Sequence, residues 1–445
     1  MASRSGDVSG DVTLETRELQ ARIDAAAAQG GGRVTVGPGV HRTGSLELRS
    51  HVELHVEPGA VLEFVADPDL YPPVAARWEG APATVHRPCL YAAHAEHVTV
   101  SGGGVIDGGG NPWWDAFRAG TLELPRPTLV GLHECTRVVV RDVTLRNSPS
   151  WTVHPLLCDD VAVRDVTIVN PADSPNTDGV DPESCRTVRI SGCHIDVGDD
   201  CIALKAGTEA APDPVPCENV TIIGCTLVRG HGGVVLGSEM SGGIRNVVIA
   251  DCVFQGTDRG LRLKTRRGRG GVVEDVRVST VIMDGVGCPF VMQEHYFCGP
   301  GGREPAVSDR RPHPVSPGTP AFRRIHVSHV SVRGARGAAA FVLGLAERPI
   351  TEVTFDDVTI SFAADPAPFV PAMAEGVEAM TGRGFLLTGC ADVSLRDVRL
   401  AGLAGPALEL AGVRDLRVAG LSADGVDVGA EVLDAEEAGV TAARG

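Results

Sequence analysis

Four short segments near the middle of this 445-residue chain together contain three carboxylates, one imidazole and two cations. The segments are Asn176-Thr177-Asp178, Asp199-Asp200, Gly230-His231-Gly232 and Arg262-Leu263-Lys264. Two carboxyl groups, one protonated and one ionised, can protonate a leaving oxygen and activate water, which is the chemistry of glycoside hydrolysis. The cations, Arg above all, can bind a carboxylate on the substrate. These residues therefore predict an enzyme that hydrolyses a chain of acidic sugars.

A nine-residue motif that recurs through most of the chain indicates how these segments are positioned. It is clearest in 137–145 and 160–168, and further copies begin at Thr187, Asn219, Asn246, Asp275, Arg324, Glu352, Asp392 and Asp415. Its second, fourth, seventh and ninth residues are apolar, an alternation typical of strands with one buried face, interrupted by a bend. Copies spaced 23 to 32 residues apart between Val138 and Val276 fit one coil of a solenoid. We therefore predict an all-β chain folded as a right-handed, single-stranded parallel β-helix.

Aligning the coils brings the polar segments together. Coils stack about 4.8 Å apart, and Asp199 and His231 each follow the second residue of their motif by eleven positions, so we expect them to be neighbours. The same alignment stacks Arg259 in the column of Asp200, with Arg262 and Lys264 slightly further along. Matching 179–181 with 201–203 places Asp178 over Asp200. Single aspartates are common in β-helix turns, but a whole patch of them with a histidine favours catalysis.

The composition narrows the partners. A formal net charge of −17 disfavours nucleic acid and anionic membranes. The chain contains no run of about 18 apolar residues, the length of a membrane span. Its N-terminus lacks the apolar segment that is typical of a secretory signal. The 12 cysteines show no paired spacing of the zinc-binding kind, so we interpret them as buried, reduced thiols. We expect a cytoplasmic enzyme that uses neither a metal nor a cofactor. Both a monomer and a homo-oligomer are compatible with the sequence.

Residues 1–445 are predicted to form one domain with an N-terminal cap over about residues 10–50. Within the cap, 16–28 has helical spacing and ends at the glycines 30–32. Departures from the repeat at 107–127, 296–320 and 363–383 are interpreted as loop insertions. The first two contain Trp113 and a Pro/Gly-rich stretch, which could wall off one end of a groove. We expect Trp113 to contact the substrate.

At the four polar segments the sequence resembles glycoside hydrolase family 28, which contains polygalacturonases and rhamnogalacturonases. The run 230–243 is similar to the bacterial, exo-acting branch. The resemblance implies hydrolysis of α-1,4-galacturonosidic linkages in pectic chains with inversion, Asp199 being the general acid and Asp178 and Asp200 activating water. It also implies that His231 tunes the acid. Substrate contacts are implied for Asn176, Arg262, Lys264 and Tyr296, and we add Arg259.

Two alternatives stay open. A pectate-lyase-like enzyme on the same fold would need a calcium site with six or more oxygen ligands, and here cations interrupt the acidic patch. A non-catalytic glycan-binding solenoid would not need the carboxylate cluster. Inverting enzymes separate their carboxyl groups by about 6.5–9.5 Å. We therefore expect the diagonal from Asp199 to Asp178 to exceed the spacing between coils.

Overall fold

The computed structural model describes residues 8–428, 431–435 and 440–442. The chain divides into two compact units. The first comprises residues up to Trp78 together with Pro82–Asp199, and the second comprises Glu79–Ala81 together with the residues from Asp200 onward. Within each unit, short parallel strands on successive coils pair in register, as a parallel β-helix requires.

The first unit contains two α-helices, a short 3-10 helix over Pro68–Leu70 and most of the short strands. The helices are α1 Val8–Ala28 and α2 Asn111–Ala119. The strands are β1 Gly32–Val36, β2 Gly39–Thr43, β3 Leu46–Glu47, β4 Val52–Val56, β5 Ala60–Phe64, β6 Pro73–Trp78, β7 Ala81–His86, β8 Leu90–Ala93, β9 Thr99–Gly102, β10 Val105–Asp107, β11 Val130–His133, β12 Thr136–Arg141, β13 Thr144–Arg146, β14 Val153–Leu156, β15 Asp159–Arg164, β16 Thr167–Val169, β17 Arg186–Ser191 and β18 His194–Val197.

The second unit contains one short helix, α3 Pro305–Ser308, and longer strands towards its end. The strands are β19 Ile202–Leu204, β20 Cys217–Ile223, β21 Thr226–Arg229, β22 Val234–Gly237, β23 Ile244–Ala250, β24 Val253–Gln255, β25 Arg259–Lys264, β26 Val272–Asp284, β27 Cys288–Gln293, β28 Ala321–Ala335, β29 Ala338–Leu343, β30 Ile350–Phe362, β31 Arg383–Ala401, β32 Leu408–Ala423, β33 Val426–Asp427, β34 Glu431–Ala435 and β35 Val440–Ala442.

The nine-residue motif forms the stack that its spacing predicts. In the first unit, Val138 pairs with Val161 and Val161 pairs with Val188. In the second unit the column continues from Val220 through Val247 to Val276, and on through Ile325, Val353, Val393 and Leu416. These residues are at most 1% exposed. The second position of the motif therefore forms a continuous line of the core within each unit.

Two corners in each copy of the motif adopt the left-handed backbone conformation. The first residues have φ between 50° and 60°: Arg137, Asp160, Thr187, Asn219, Asn246, Asp275, Arg324, Glu352, Asp392 and Asp415. The sixth residues have φ between 47° and 79°: Asp142, Asp165, Gly192, Gly224, Asp251, Thr280, His329, Asp357, Asp397 and Gly420. Asn, Asp and Gly tolerate this region best, which explains their frequency at these positions. The bend inferred between the fourth and seventh positions is confirmed.

Helix α1 covers the first coil, as predicted, although it begins at Val8 rather than near Thr16. Its Ile23 is fully buried, and the Gln20 side chain accepts from the backbone N–H of Glu47 at 2.8 Å and donates to its carbonyl at 2.9 Å. Backbone groups of the edge strand β3 are thus satisfied by a side chain of the cap, which closes an edge that could otherwise pair with another chain.

The insertion at 107–127 is not a loop throughout, because α2 occupies its centre and is capped by Gly120 with φ 65°. A second departure, which the repeat analysis missed, is a hairpin formed by β6 and β7. All 12 cysteines are free thiols, and eleven of them are buried, as expected for apolar substitutes in the core. Among the described residues, no helix is long and apolar enough to cross a membrane.

Candidate active site

In the first unit, Asp178 lies on a segment that is braced from beneath. The Thr152 N–H donates to the Asp178 carbonyl at 2.8 Å, and the fully buried Asn170 amide donates to Thr152 Oγ1 at 2.9 Å and to the Thr177 carbonyl at 3.3 Å. Asp178 itself is 4% exposed. Because these bonds fix the backbone on either side of it, the carboxylate is presented in one defined place.

Asp199 is half-buried and follows a glycine that the packing requires. A Cβ on Gly198 would lie 2.6 Å from the Pro171 carbonyl oxygen and 2.7 Å from that of Ser174. Carboxylate oxygens of Asp199 and Asp178 lie within 4.8 Å of each other. The expectation of a longer diagonal is therefore wrong for these atoms, because the two side chains converge on one space.

Asn176, expected to contact substrate, is bound within the protein through its carbonyl oxygen. Arg126 Nη2 donates to Asn176 Oδ1 at 2.7 Å, and Arg126 Nη1 donates to the carbonyls of Pro149 and Pro175 at 2.9 and 2.7 Å. The guanidinium is 1% exposed and lies 4.0 Å above the Phe117 ring of α2. Arg126, which sequence reasoning missed, holds the segment that precedes Asp178.

In the second unit, Asp200 is a buried carboxylate between two cations. Lys264 Nζ lies 2.8 Å from its Oδ2 and Arg262 Nη1 lies 3.2 Å from its Oδ1. Burial alone would raise the pKa of Asp200, but Lys264, Arg262 and, more weakly, His231 outweigh burial and hold it below its ordinary value. Asp200 is therefore ionised throughout the physiological range. The predicted substrate ligands Arg262 and Lys264 bind Asp200 here.

The glycine after His231 keeps open the space beside Asp200. A Cβ at Gly232 would lie 2.4 Å from Val235 Cγ2 and 3.1 Å from Asp200 Oδ1. Its neighbour Gly233 faces the ring of Phe254, 2.8 Å from where a Cβ would stand. The glycines on this coil thus serve packing, and His231 is the exposed member of the segment.

Tyr296, expected to contact substrate, packs against the two cations of this cluster. Its ring centroid lies 5.3 Å from Lys264 Nζ and 5.8 Å from the Arg262 guanidinium carbon. The side chain is 9% exposed, and burial raises the pKa of Tyr296 to about 12 against the opposing effect of the two cations. It is a neutral phenol that packs over two charged groups.

A cleft of about 400 Å³ in the second unit has His231, Asp258 and Arg259 on one side. The insertion at 363–383 supplies most of the rest through Val370, Ala372, Met373, Ala374 and Val377. Met373 Sδ lies 3.2 Å from Arg262 Nη2, so this insertion reaches the cations that hold Asp200. Its contribution was missed, because nothing in its Pro/Ala-rich composition signals a ligand.

Arg259, expected to bind substrate, instead anchors that insertion. Its Nε donates to the Pro371 carbonyl at 2.9 Å and its Nη2 donates to the Val370 carbonyl at 2.8 Å, while the Phe369 ring lies 5.0 Å from the guanidinium. Burial, followed by the nearby Arg262, lowers the pKa of Arg259 to about 10. The expectation that Arg259 binds substrate is corrected, because its guanidinium donates to backbone carbonyls of the protein.

Trp113 is also corrected. It is 2% exposed and packs edge-on against Tyr71 at 5.4 Å and His86 at 5.2 Å. No face of the indole is available to a sugar. Trp113 belongs to the apolar side of α2, which packs against the protein interior.

Comparison with known proteins shows the family of the chain. The model of Glycosyl hydrolases family 28 matches residues 78–368, about two-thirds of the chain. A probable polygalacturonase of Vitis vinifera is 33% identical over 397 residues, which cover 86% of this chain and 78% of that protein. An endo-polygalacturonase of Pectobacterium carotovorum subsp. carotovorum is 30% identical over 61% of this chain and 69% of its own.

Among solved structures, the exopolygalacturonase from Thermotoga maritima aligns with a TM-score of 0.74 and 26% identity, covering 94% of this chain and 90% of that one. The family match begins at Trp78 and ends just before the residues of 363–383 that line the cleft. Plant and bacterial relatives both appear, so the similarity shows the family without selecting a branch. The chain belongs to glycosyl hydrolase family 28 and is a glycoside hydrolase of the polygalacturonase type, acting on pectic polysaccharide or its fragments.

Proposed function

We propose that the enzyme is an inverting, exo-acting hydrolase of α-1,4-galacturonosidic linkages in oligogalacturonides or rhamnogalacturonan oligomers. Asp199 protonates the glycosidic oxygen, Asp178 and Asp200 activate the attacking water, and His231 tunes the protonation of the acid. Arg262, Lys264 and Tyr296 hold the substrate near the ionised base. A cytoplasmic location, where short imported oligomers are the substrate, is part of the proposal.

One observation carries the division of labour: Asp200 is buried yet kept ionised by Lys264 and Arg262. A carboxyl group in that state carries no proton to donate, which excludes Asp200 as the general acid and leaves it the role beside the water. The acid must then come from another carboxyl group, and Asp199, half-buried and close to Asp178, is the candidate.

Exo action is supported by the way two insertions of the second unit are tied together. Phe297 N–H donates to the Met373 carbonyl at 3.2 Å, Arg310 donates to the Glu375 carbonyl at 2.8 Å, and Arg303 lies 3.5 Å from the Glu375 carboxylate. A wall built from both insertions beside the cleft would stop a long chain from threading past. The relative from Thermotoga maritima is named an exopolygalacturonase.

Asp199→Asn tests the proposed acid. General acid catalysis contributes about 10²–10⁴-fold, so we expect kcat to fall by that amount with the melting temperature unchanged. Asp173→Asn is the matched control, because its side chain is 89% exposed on the neighbouring segment. Activity of Asp199→Asn within threefold of the parent would contradict the assignment.

The released anomer tests the stereochemistry. The carboxylate oxygens of Asp178 and Asp199 approach more closely than the separation of about 6.5–9.5 Å usual for inverting enzymes, so this point needs its own measurement. Proton NMR during the first turnovers should show the β-anomer from an α-linked substrate. Initial release of the α-anomer would mean retention.

Product analysis also separates the alternatives. A lyase would form an unsaturated, ultraviolet-absorbing product that a chelator abolishes, whereas a hydrolase forms none. A glycan-binding solenoid would bind oligomers without releasing sugar, and Asp199→Asn would leave that binding intact.

A further inference from the structure

Trp78 is the one tryptophan of the four that is not buried. Of the four tryptophans, Trp113, Trp114 and Trp151 are at most 3% exposed, whereas Trp78 is half-buried at the end of β6. Its ring stacks on that of Trp151 with centroids 4.7 Å apart and planes 20° apart. One indole face is thus covered by protein, and an aromatic ring supported in this way is suited to bind the apolar face of a sugar.

The ring beneath Trp78 lies in the column of a catalytic aspartate. Val153 pairs with Val180, and the Thr152 and Val153 N–H groups donate to the carbonyls of Asp178 and Gly179. In this register Trp151 stands directly opposite Asp178, one strand spacing of about 4.8 Å away. Trp78 therefore covers the position next to Asp178 on the preceding coil.

The hairpin that carries Trp78 is fixed to the same coil as Asp178. Arg77 Nη1 lies 3.2 Å from Glu183 Oε1 and 3.1 Å from Ser184 Oγ, and the second oxygen of Glu183 is 3.2 Å from His154 Nε2. Arg77 is 9% exposed and Glu183 is fully buried. A buried ion pair is costly to form and defines geometry more than it adds stability. Here it locks the residue adjacent to Trp78 in place.

We infer that Trp78 binds the sugar next to the cleaved linkage, on the side of the preceding coil, with its ring stacked on the sugar face. This inference rests on the proposed function and adds to it a subsite made by a hairpin outside the nine-residue repeat. A residue that serves only to cover Trp151 would contribute to stability and not to substrate affinity.

The test compares Trp78→Ala and Trp78→Phe with Trp114→Phe, a control in the buried face of α2. On tri- and tetragalacturonate we expect Trp78→Ala to raise KM about tenfold while kcat changes less than threefold. Trp78→Phe should restore most of the affinity, and Trp114→Phe should leave KM unchanged.

Fluorescence gives a readout that does not need turnover. In Asp199→Asn, acrylamide should quench mainly Trp78, because the other tryptophans are buried, and added trigalacturonate should reduce that quenching. If the wild-type enzyme cleaves oligogalacturonides but Trp78→Ala keeps its KM within twofold and trigalacturonate leaves quenching unchanged, the inference is wrong and the proposed function stands. If the wild-type enzyme cleaves no galacturonide, the proposed function is overturned and the inference falls with it.

Discussion

The insertions at 107–127 and 363–383 are each tied to their unit by a buried arginine, Arg126 and Arg259 respectively, but they bury different side chains. In the first, α2 turns Trp113 and Trp114 inward, and Trp114 Nε1 donates to the Ser148 carbonyl at 3.0 Å. In the second, a buried guanidinium, that of Arg259, binds two backbone carbonyls of the insertion. The tryptophans of the first insertion are core residues, whereas the second insertion, whose Phe369 packs near that guanidinium, lines the cleft with small and aliphatic side chains.

The difference shows that aromatic composition alone does not predict contact with sugar. A helix in an insertion must bury one face, and its largest apolar side chains are the ones that gain most from burial. The insertion at 363–383 buries the smaller side chains of Ala372 and Ala374 besides its polar contacts with Arg259, and it also lines the cleft. Perturbing the two kinds of attachment should therefore have separable effects.

The largest effect is expected for Trp113→Ala. Removing a buried Trp costs about 3–5 kcal/mol of unfolding free energy, through lost burial and the cavity left behind. Urea unfolding should show this loss. The KM of the protein that remains folded should match that of the parent. A raised KM with unchanged stability would reverse our correction and return Trp113 to the substrate site.

Glu294 provides the next largest effect, and it depends on pH. This carboxyl group is fully buried beside Tyr296 and accepts from the Leu345 N–H at 3.0 Å, and burial raises the pKa of Glu294 to about 8. Its contribution to stability is present in full below the unfolded pKa of about 4.3 and is lost as pH rises towards 8. Glu294→Gln should remove on the order of 3 kcal/mol from this pH dependence.

Unfolding free energies of Glu294→Gln and the parent at pH 5 and pH 8 check this. The variant should gain relative to the parent as pH rises. Trp113→Ala is the control, because its cost should be the same at both values. Parallel curves for Glu294→Gln and the parent would show that Glu294 does not titrate in this range.

Arg259→Met should act locally. Two backbone carbonyls lose their charged donor, at a cost of about 1–3 kcal/mol, and the insertion at 363–383 should loosen. Limited proteolysis should then cut within it, and early products from a long oligogalacturonide should include intermediate lengths. If the variant is cleaved by protease in this segment but still releases only monosaccharide, the insertion is not the wall.

Met373→Ala should give the smallest effect. It removes the sulfur that lies 3.2 Å from Arg262 and shortens a side chain that lines the cleft. We expect stability to change by no more than about 1 kcal/mol and KM to rise a few-fold, with the optimum pH unchanged. Steady-state kinetics over a range of oligomer lengths measure this.

Much of the fold could be predicted because the same nine-residue pattern recurs in successive coils of the solenoid. The alternation around Val138 and its counterparts determines which residues face the core, and every further coil tests the same register. Ile202, Val234 and Leu261, which each follow the second residue of their motif by fourteen positions, stack on one another in register. The start of α1 was misplaced because Val8–Glu15 lacks a clear apolar period.

The site was predictable where it belongs to the repeat and not where it depends on insertions. Asp200, Arg262 and Lys264 come together because strands β19, β22 and β25 stack in register. Arg259 belongs to the same stack, yet its partners lie more than 110 residues away in the sequence. Spacing within a motif carries no information on such a contact. Trp78 was missed for the same reason, since its hairpin lies outside the repeat.

The left-handed corners of the coils have a consequence for mutational tolerance. At the first and sixth positions of the motif, most residue types meet a backbone penalty of about 1–2 kcal/mol, regardless of what the side chain contacts. A substitution scan should therefore show two intolerant positions returning with every coil, and Asn and Gly should be accepted at both. Thr187 and Thr280 are β-branched residues at such corners, with φ of 59° and 55°. Thr187→Asn and Thr280→Gly should raise the melting temperature, because each substitution lowers the backbone penalty at its corner. The corners of the coils are therefore the positions at which this protein can be stabilised.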